Sequence, residues 1–97
     1  MNKNFRSGNF IWNIEKEKSN IDKHKVDFIT ASEAFFDKNQ IIVIDEKHSS
    51  KEKRYFCLGK VNSKIITVRF TYRNNLIRIY GAGYWRKGRA LYEKENG

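Results

Sequence analysis

The sequence contains no proline, one cysteine and no long apolar run. A single cysteine excludes an internal disulfide framework and a multi-cysteine metal site. No stretch approaches the roughly 20 apolar residues of a membrane span, and residues 1–8 lack the apolar core of a secretory signal. We therefore expect a cytoplasmic protein that does not bind a membrane. Since proline is absent, Gly, Asn, Asp and Ser must mark the boundaries of the elements.

Positive charge is the most distinctive feature that is present. Lys and Arg number 20 against 11 Asp and Glu, which leaves a formal charge of +9 on 97 residues. Such an excess concentrates polyanions near a protein and speeds encounter with them. RNA or another nucleic acid is the leading partner. An acidic partner protein is compatible with the same charge, as is a basic surface that serves only solubility.

The chain is short enough for one domain over residues 1–97, with residues 1–8 as a flexible tail. The predicted elements are a strand at 10–12, helices at 14–24 and 30–37, four antiparallel strands at 41–44, 54–59, 65–72 and 76–80, and a helix at 84–95. Asn13 is placed to cap the first helix, and Thr30 with Glu33 has the spacing of a capping box for the second. Gly81-Ala82-Gly83 is expected to end the last strand. This order predicts an α+β fold in which a small sheet packs on helices.

Turns at Asn62-Ser63 and Asn74-Asn75 set the register of the last three strands. They place Phe56 opposite Arg69, Thr71 between Arg54 and Arg78, and Arg69 opposite Tyr80. One face then carries Tyr55, Cys57, Ile66, Val68, Phe70, Tyr72, Ile77 and Ile79, and is expected to form the core. The other carries Arg54, Arg69, Thr71, Arg78 and Tyr80 beside Phe56 and Leu58. Three like charges on one face predict an anion site, unless the face is only solvated or its arginines pair with acids.

Residues that could transfer protons lie beside this face. His48 and Glu52 are candidates for proton transfer in RNA cleavage, where Arg54 and Arg78 would stabilise the phosphorane. The alternative for His48 is an ordinary exposed turn. Candidate RNA-binding residues are Lys23, Lys53, Arg69, Tyr80, Arg86 and Lys87. Lys23 could instead serve only to complement the end of its helix, and Trp85 could anchor the last helix to the sheet.

The histidines and the cysteine could suggest a metal site and a nucleophile, but both have simpler interpretations. The two histidines lack a Cys or carboxylate array at metal-binding spacing, so we predict neither a metal nor another cofactor. Cys57 alternates with the apolar face and is expected to be a core residue, not a nucleophile.

An ordered set of short motifs resembles the BrnT toxin family across about residues 10–93. The motifs are Phe10-x-Trp12, Asn20-x-x-Lys23-His24-x-Val26-x-Phe28, Ala34-Phe35-x-Asp37, His48-Ser49, Glu52-x-Arg54, Leu58-Gly59, Ile77-Arg78-Ile79 and Tyr92-Glu93. The resemblance implies a RelE-like ribonuclease fold, a toxin that arrests translation by cutting RNA, and a BrnA-type antitoxin with a DNA-binding domain. Many relatives have Ser-Ala-Arg in place of Gly81-Ala82-Gly83 and an acidic residue in place of Gly88. Arg86, Lys87 or Arg89 could compensate for the missing arginine.

The sequence leads to one hypothesis and two rivals. The first is a metal-independent endoribonuclease toxin. The second is a basic module that binds RNA or the ribosome without cutting. The third is a regulatory partner whose basic face meets an acidic antitoxin.

Overall fold

The computed structural model describes residues 3–97. Its strands are β1 (Asn4–Ser7), β2 (Phe10–Asn13), β3 (Ile41–Ile44), β4 (Tyr55–Val61), β5 (Lys64–Arg73) and β6 (Leu76–Gly83). Its helices are α1 (Ile14–His24), α2 (Phe28–Ser32) and α3 (Arg86–Asn96), with short 3₁₀ helices at Glu33–Phe36 and Glu46–His48. The α+β prediction is confirmed.

All the strands belong to one sheet in the order β1-β2-β6-β5-β4-β3. Neighbours are antiparallel except β2 and β6, which run parallel with Phe10 opposite Ile77. The predicted flexible tail is partly wrong, because Asn4–Ser7 forms β1 and pairs with β2. The Phe5 ring lies 5.2 Å from the Trp12 ring, a contact that the sequence pattern does not reveal. Residues 1 and 2 of that predicted tail lie outside the described residues.

The core lies between α1, α2 and one face of the sheet. Its fully buried members include five residues of the predicted core face, namely Cys57, Ile66, Val68, Phe70 and Ile79. Tyr72 was predicted for the same core, but it is 52% exposed. It stands near the turn at the end of β5, where its ring packs edge-on against Tyr55 at 5.3 Å.

Local polar signals set the helix ends, with one correction. Asn13 caps α1 as predicted by accepting a hydrogen bond from the Lys16 N–H at 3.0 Å. The predicted capping box at Thr30 is wrong. Asp27 caps α2 instead, and its carboxylate accepts from the Thr30 N–H at 2.6 Å. The last helix begins at Arg86, two residues later than expected.

Both predicted hairpin turns are present. Asn62, Ser63, Asn74 and Asn75 all have positive φ, which suits the twist of two-residue hairpin loops. The registers of Phe56 with Arg69 and of Thr71 with Arg78 are confirmed.

The predicted pairing of Arg69 with Tyr80 is wrong. Phe70 pairs with Ile79 while Arg69 pairs with Gly81, so a β-bulge leaves Tyr80 as the extra residue. The predicted end of the last strand at Tyr80 is also wrong, because Gly81, Ala82 and Gly83 pair with β5 and continue β6. Arg69 and Tyr80 remain neighbours on the face away from α1 and α2.

Candidate active site

Three strands bring the predicted arginines to the sheet face opposite the core. Arg54 directly precedes β4, Arg69 lies in β5 and Arg78 lies in β6. The guanidinium carbons of Arg54 and Arg69 are 4.5 and 5.4 Å from the centre of the Tyr80 ring. The face of an aromatic ring attracts cations, so Tyr80 allows two like charges to lie near each other.

Arg69 occupies space that a glycine leaves open. A Cβ on Gly81 would come within 2.7 Å of the Arg69 Nε, and the Trp85 ring centre is 5.7 Å from the guanidinium carbon. Arg69 makes no ion pair with any described residue. Its guanidinium is therefore positioned by rings and backbone, and its charge is not neutralised by a carboxylate.

Two buried polar atoms lie beside each other here: the Arg69 Nε, which has no hydrogen-bond partner among residues 3–97, and the Tyr80 hydroxyl, whose neighbouring donor is the Arg54 guanidinium. Buried polar groups are nearly always satisfied, so the Arg69 Nε calls for an explanation. Burial raises the pKa of Tyr80, while the Arg54 and Arg69 charges oppose that shift. The Tyr80 hydroxyl thus stays protonated near neutral pH and can donate to an anionic ligand.

Glu52 is paired with two arginines. Its carboxylate oxygens lie 3.2 Å from an Arg73 nitrogen and 3.5 Å from an Arg54 nitrogen. All three side chains are between one third and one half exposed, so these pairs contribute little to stability. The predicted proton-transfer residue therefore also orients Arg54 towards Tyr80.

Arg78 lies beside Thr71 at the same end of the face. Burial lowers the pKa of Arg78, and the nearby Arg73 charge lowers it further while Glu52 opposes the shift. Arginine remains charged despite such a shift. A bound anion would relieve the cost of holding this cation partly buried beside another one.

His48 forms a dyad with an acid that sequence reasoning missed. Its Nδ1 is 2.9 Å from the Asp45 Oδ2, and Asp45 is buried while half of the His48 side chain is exposed. An ionised carboxylate can only accept, so the pair places the proton on Nδ1 and leaves Nε2 free. The spacing Asp45-x-x-His48 after a strand was the available signal.

The same loop holds His48 and Arg54 together. The Asp45 N–H donates to the Arg54 carbonyl at 2.8 Å, and the Arg54 N–H donates to the Ser49 hydroxyl at 2.9 Å. That hydroxyl donates to the Asp45 carbonyl at 2.7 Å. These bonds close the loop on itself, while the His48 side chain stays half exposed, as it would also be in the ordinary turn considered for it.

His48 and Arg69 open onto one groove, which we call the sheet groove. It has a volume of about 630 Å³ and lies between α3 and the outer strands. Its lining residues are Val43, Ile44, His48, Phe56, Leu58, Thr67, Arg69, Trp85, Lys87, Gly88 and Leu91. An apolar wall beside a cation and a histidine matches the general composition of a nucleobase site.

The remaining predicted RNA-binding residues are exposed, namely Lys23, Lys53, Arg86 and Lys87. Lys53 is exposed next to Arg54, and its carbonyl accepts from the Thr71 hydroxyl at 2.7 Å. Lys23 is exposed at the end of α1, where the adjacent His24 packs edge-on against Trp85 at 5.0 Å. The structure records no direct contact of Lys23 with the arginines.

Arg86 and Lys87 are exposed in the first turn of α3 and face different sides of it. Trp85 precedes them and lies against both Arg69 and His24. It therefore anchors the helix and borders the candidate site at the same time.

The structure leaves no room for larger side chains at Gly83 and Gly88, the two positions where the sequence departs from the expected family pattern. A Cβ on Gly83 would come within 2.9 Å of the Trp85 ring, and one on Gly88 would overlap the Thr67 hydroxyl. Trp85 thus fills the space beside residue 83, and α3 lies too close to β5 to accept a side chain at residue 88. Of the three residues that could compensate, Lys87 lines the sheet groove, whereas Arg86 and Arg89 do not.

No three His, Cys, Asp or Glu residues within positions 3–97 are grouped closely enough to hold a metal ion. None of the helices in that part of the chain is both long and apolar enough to cross a bilayer. Burial raises the pKa of the Cys57 thiol to about 12, and Asp37 adds to the shift, which agrees with the predicted core role.

The chain was also compared with known proteins. Residues 12–88 match the family model described as "Ribonuclease toxin, BrnT, of type II toxin-antitoxin system". No curated protein matches the chain. The matched span contains α1, α2, the end of β2, all of β3 to β6, and the arginine cluster formed by Arg54, Arg69 and Arg78. Because it covers far more than half of the sequence, the chain belongs to the BrnT ribonuclease toxins of type II toxin-antitoxin systems.

Proposed function

We propose that this toxin is a metal-independent endoribonuclease that cuts RNA at the arginine cluster and thereby inhibits translation. The observation that carries the proposal is the position of the Asp45–His48 dyad on the same groove as Arg69. His48 and Arg69 thus line one groove, and Arg69 has no carboxylate partner among the described residues. Membership of a ribonuclease family supports the reaction class.

The proposed reaction uses the RNA's own 2′-hydroxyl as the nucleophile. His48 Nε2 accepts the proton of this hydroxyl while the 2′ oxygen attacks the adjacent phosphorus. Arg54, Arg69 and Arg78 balance the growing negative charge of the phosphorane, and the Tyr80 hydroxyl adds a hydrogen bond. The bond to the 5′ oxygen then breaks and this oxygen takes a proton from solvent water, which leaves a 2′,3′-cyclic phosphate and a 5′-hydroxyl.

Glu52 keeps the second proton-transfer role that the sequence predicts for it. Its contacts with Arg54 and Arg73 give it a positioning role as well. Lys23, Lys53, Arg86 and Lys87 are exposed cations, and we assign to them contacts with phosphates on either side of the cut.

We further propose a RelE-like arrangement of the fold, a cytoplasmic location and a BrnA-type antitoxin with a DNA-binding domain. Type II toxin-antitoxin membership implies an antitoxin and an RNA substrate. The mostly antiparallel sheet, with α3 on the face opposite α1 and α2, supports the RelE-like arrangement.

The direct test is expression of the toxin without its antitoxin, followed by growth measurement and mapping of new RNA ends. We expect growth arrest and new 5′-hydroxyl ends. His48→Ala and Glu52→Gln should each lower cleavage by about 10²- to 10⁴-fold without unfolding the domain.

Two exposed residues of the same loop give matched controls. Lys47→Ala and Glu46→Gln should retain cleavage, because neither side chain contacts the cluster. If both active-site variants cut normally, the catalytic assignment is wrong. Salt-sensitive RNA binding by the wild type without new ends would favour the non-catalytic module, and absence of RNA affinity would favour the regulatory partner.

A further inference from the structure

A second groove lies on the opposite side of α3 from the sheet groove. It runs between this helix and the β4–β5 hairpin, has a volume of about 770 Å³, and is called the hairpin groove here. Four cationic residues line it, namely Lys60, Lys64, Arg86 and Arg89. Three of these four, namely Lys60, Lys64 and Arg89, are not among the RNA-binding residues that the sequence predicts.

The charge of this groove is almost entirely of one sign. Glu93 is the only acid among its lining residues, and it is paired with Arg89 at 3.3 Å. The nearby Asp37 carboxylate already accepts hydrogen bonds from Tyr92, Asn39 and the Lys60 N–H. The Asp37 charge attracts Lys60, but neither acid forms an ion pair with Lys60 or Lys64. Clustered cations of this kind favour a polyanion.

An exposed aromatic ring accompanies these cations. The Lys64 Nζ lies 5.3 Å from the centre of the Tyr84 ring, and Tyr84 is 47% exposed. Alternation of cations with exposed rings is the usual composition of a surface that binds single-stranded nucleic acid.

Trp85 connects the two grooves, because it lines both of them. Between them, the first turn of α3 contains Arg86 and Lys87, no acid, and no side-chain cap. Cations at a helix N-terminus oppose the helix dipole, so this arrangement does not serve the stability of α3. An RNA strand bound at Arg69 could therefore pass over Trp85 and enter the hairpin groove.

We propose that the hairpin groove binds phosphates of a single-stranded RNA segment that flanks the cut site. The inference rests on the proposed function for its ligand, but it concerns binding, so it can be tested without cleavage. An acidic segment of the antitoxin is the competing occupant, and the experiment separates the two.

The test measures binding of fluorescent, fully 2′-O-methylated RNA, which lacks the attacking hydroxyl and stays intact. Two lengths are compared, about 4 and about 12 nucleotides, which span the range that small single-strand-binding sites cover. The test variant is Lys60→Gln with Lys64→Gln. The control is Lys16→Gln with Lys18→Gln, which removes the same charge from exposed positions on α1.

We expect the test variant to bind the longer RNA about tenfold more weakly near 0.1 M salt, with its log–log salt slope reduced by about 1.4, or 0.7 per lost phosphate contact. The shorter RNA should change by less than about twofold. The control should change by less than about twofold for both lengths, and thermal unfolding should confirm that both variants fold.

Equal weakening in both variants would show an effect of net charge alone and overturn the proposal. Unchanged RNA binding together with weaker capture of the co-expressed antitoxin would assign the groove to that protein instead. Wild-type protein that binds the longer RNA through this groove but never cuts RNA would refute the proposed function and leave the groove as an RNA-binding site only.

Discussion

Asp37 shows how a single carboxylate joins three parts of this small domain. Its Oδ2 accepts from the Lys60 N–H at 2.7 Å and from the Tyr92 hydroxyl at 2.6 Å, while its Oδ1 accepts from the Asn39 N–H at 2.9 Å. The loop before β3, the strand β4 and the helix α3 therefore share one acceptor. The buried Asn20 side chain joins segments in a similar way on the other face of the sheet. Its amide nitrogen donates to the Val26 and Ala82 carbonyls, and its amide oxygen accepts from the Ala82 N–H.

Removal of the Tyr92 hydroxyl should destabilise the domain without affecting the arginine cluster. We expect Tyr92→Phe to lower the free energy of unfolding by about 1.5–3 kcal/mol, the usual range for a hydrogen bond to a charged group. Urea unfolding of wild type and variant measures it. A change below about 0.5 kcal/mol would show that Asp37 does not hold α3.

The same pair predicts how stability depends on pH. Burial raises the pKa of Asp37, but hydrogen bonds from Tyr92, Lys60 and Asn39 outweigh it, so the net pKa is below the usual 3.8. Its contribution is thus present above pH 3.8 and is lost as the pH falls through the lower folded value. The hydrogen bond to Asp37 and burial raise the pKa of Tyr92 to about 12. That contribution is complete below the usual value of 10.0 and is lost as the pH rises towards 12.

The helix α3 approaches the sheet so closely that its glycine cannot be replaced without movement. A Cβ on Gly88 would overlap the Thr67 Oγ1, an atom buried without a hydrogen-bond partner among the described residues, and would lie 3.2 Å from Leu58 Cδ2. This contact lets α3 form one wall of the sheet groove.

Gly88→Ala should therefore destabilise the domain by about 1–3 kcal/mol through overpacking. In an open helix position the same change would stabilise by up to about 1 kcal/mol, so the sign of the effect is diagnostic. Thr67→Ala removes the obstructing hydroxyl and should recover part of the loss in the double variant. Additive effects in a double-mutant cycle would contradict the close approach.

At the level of elements, the sequence predicts what local chemistry decides. Asn13 caps α1, and the turn at Asn74-Asn75 sets the register of Thr71 with Arg78, because each depends on residues close in the chain. The bulge at Tyr80 and the strand β1 depend on partners that period and turn rules do not encode. The contact between Asp45 and His48 could have been predicted from the sequence, because the two residues are only three positions apart.

At the scale of the whole molecule, the apolar core and the candidate active site lie on opposite faces of one sheet. The helices α1 and α2 cover the apolar face, and α3 covers only part of the other, between two open grooves. Strand alternation therefore predicted the division of faces from the sequence. The contribution of α3 and Trp85 to both grooves could not be predicted, because it depends on packing between distant segments.

The central claim is that arginines of neighbouring strands converge on one RNA phosphate. Its most direct measurement compares the rate of RNA cleavage by purified Arg54→Gln and Arg69→Gln with that by Arg6→Gln, which removes an equal charge from exposed β1. We predict that both cluster variants lose about 10²- to 10³-fold in rate, the usual cost of removing one group that stabilises a transition-state oxyanion. Arg6→Gln should stay near the wild-type rate. Similar rates for all three variants would contradict the claim.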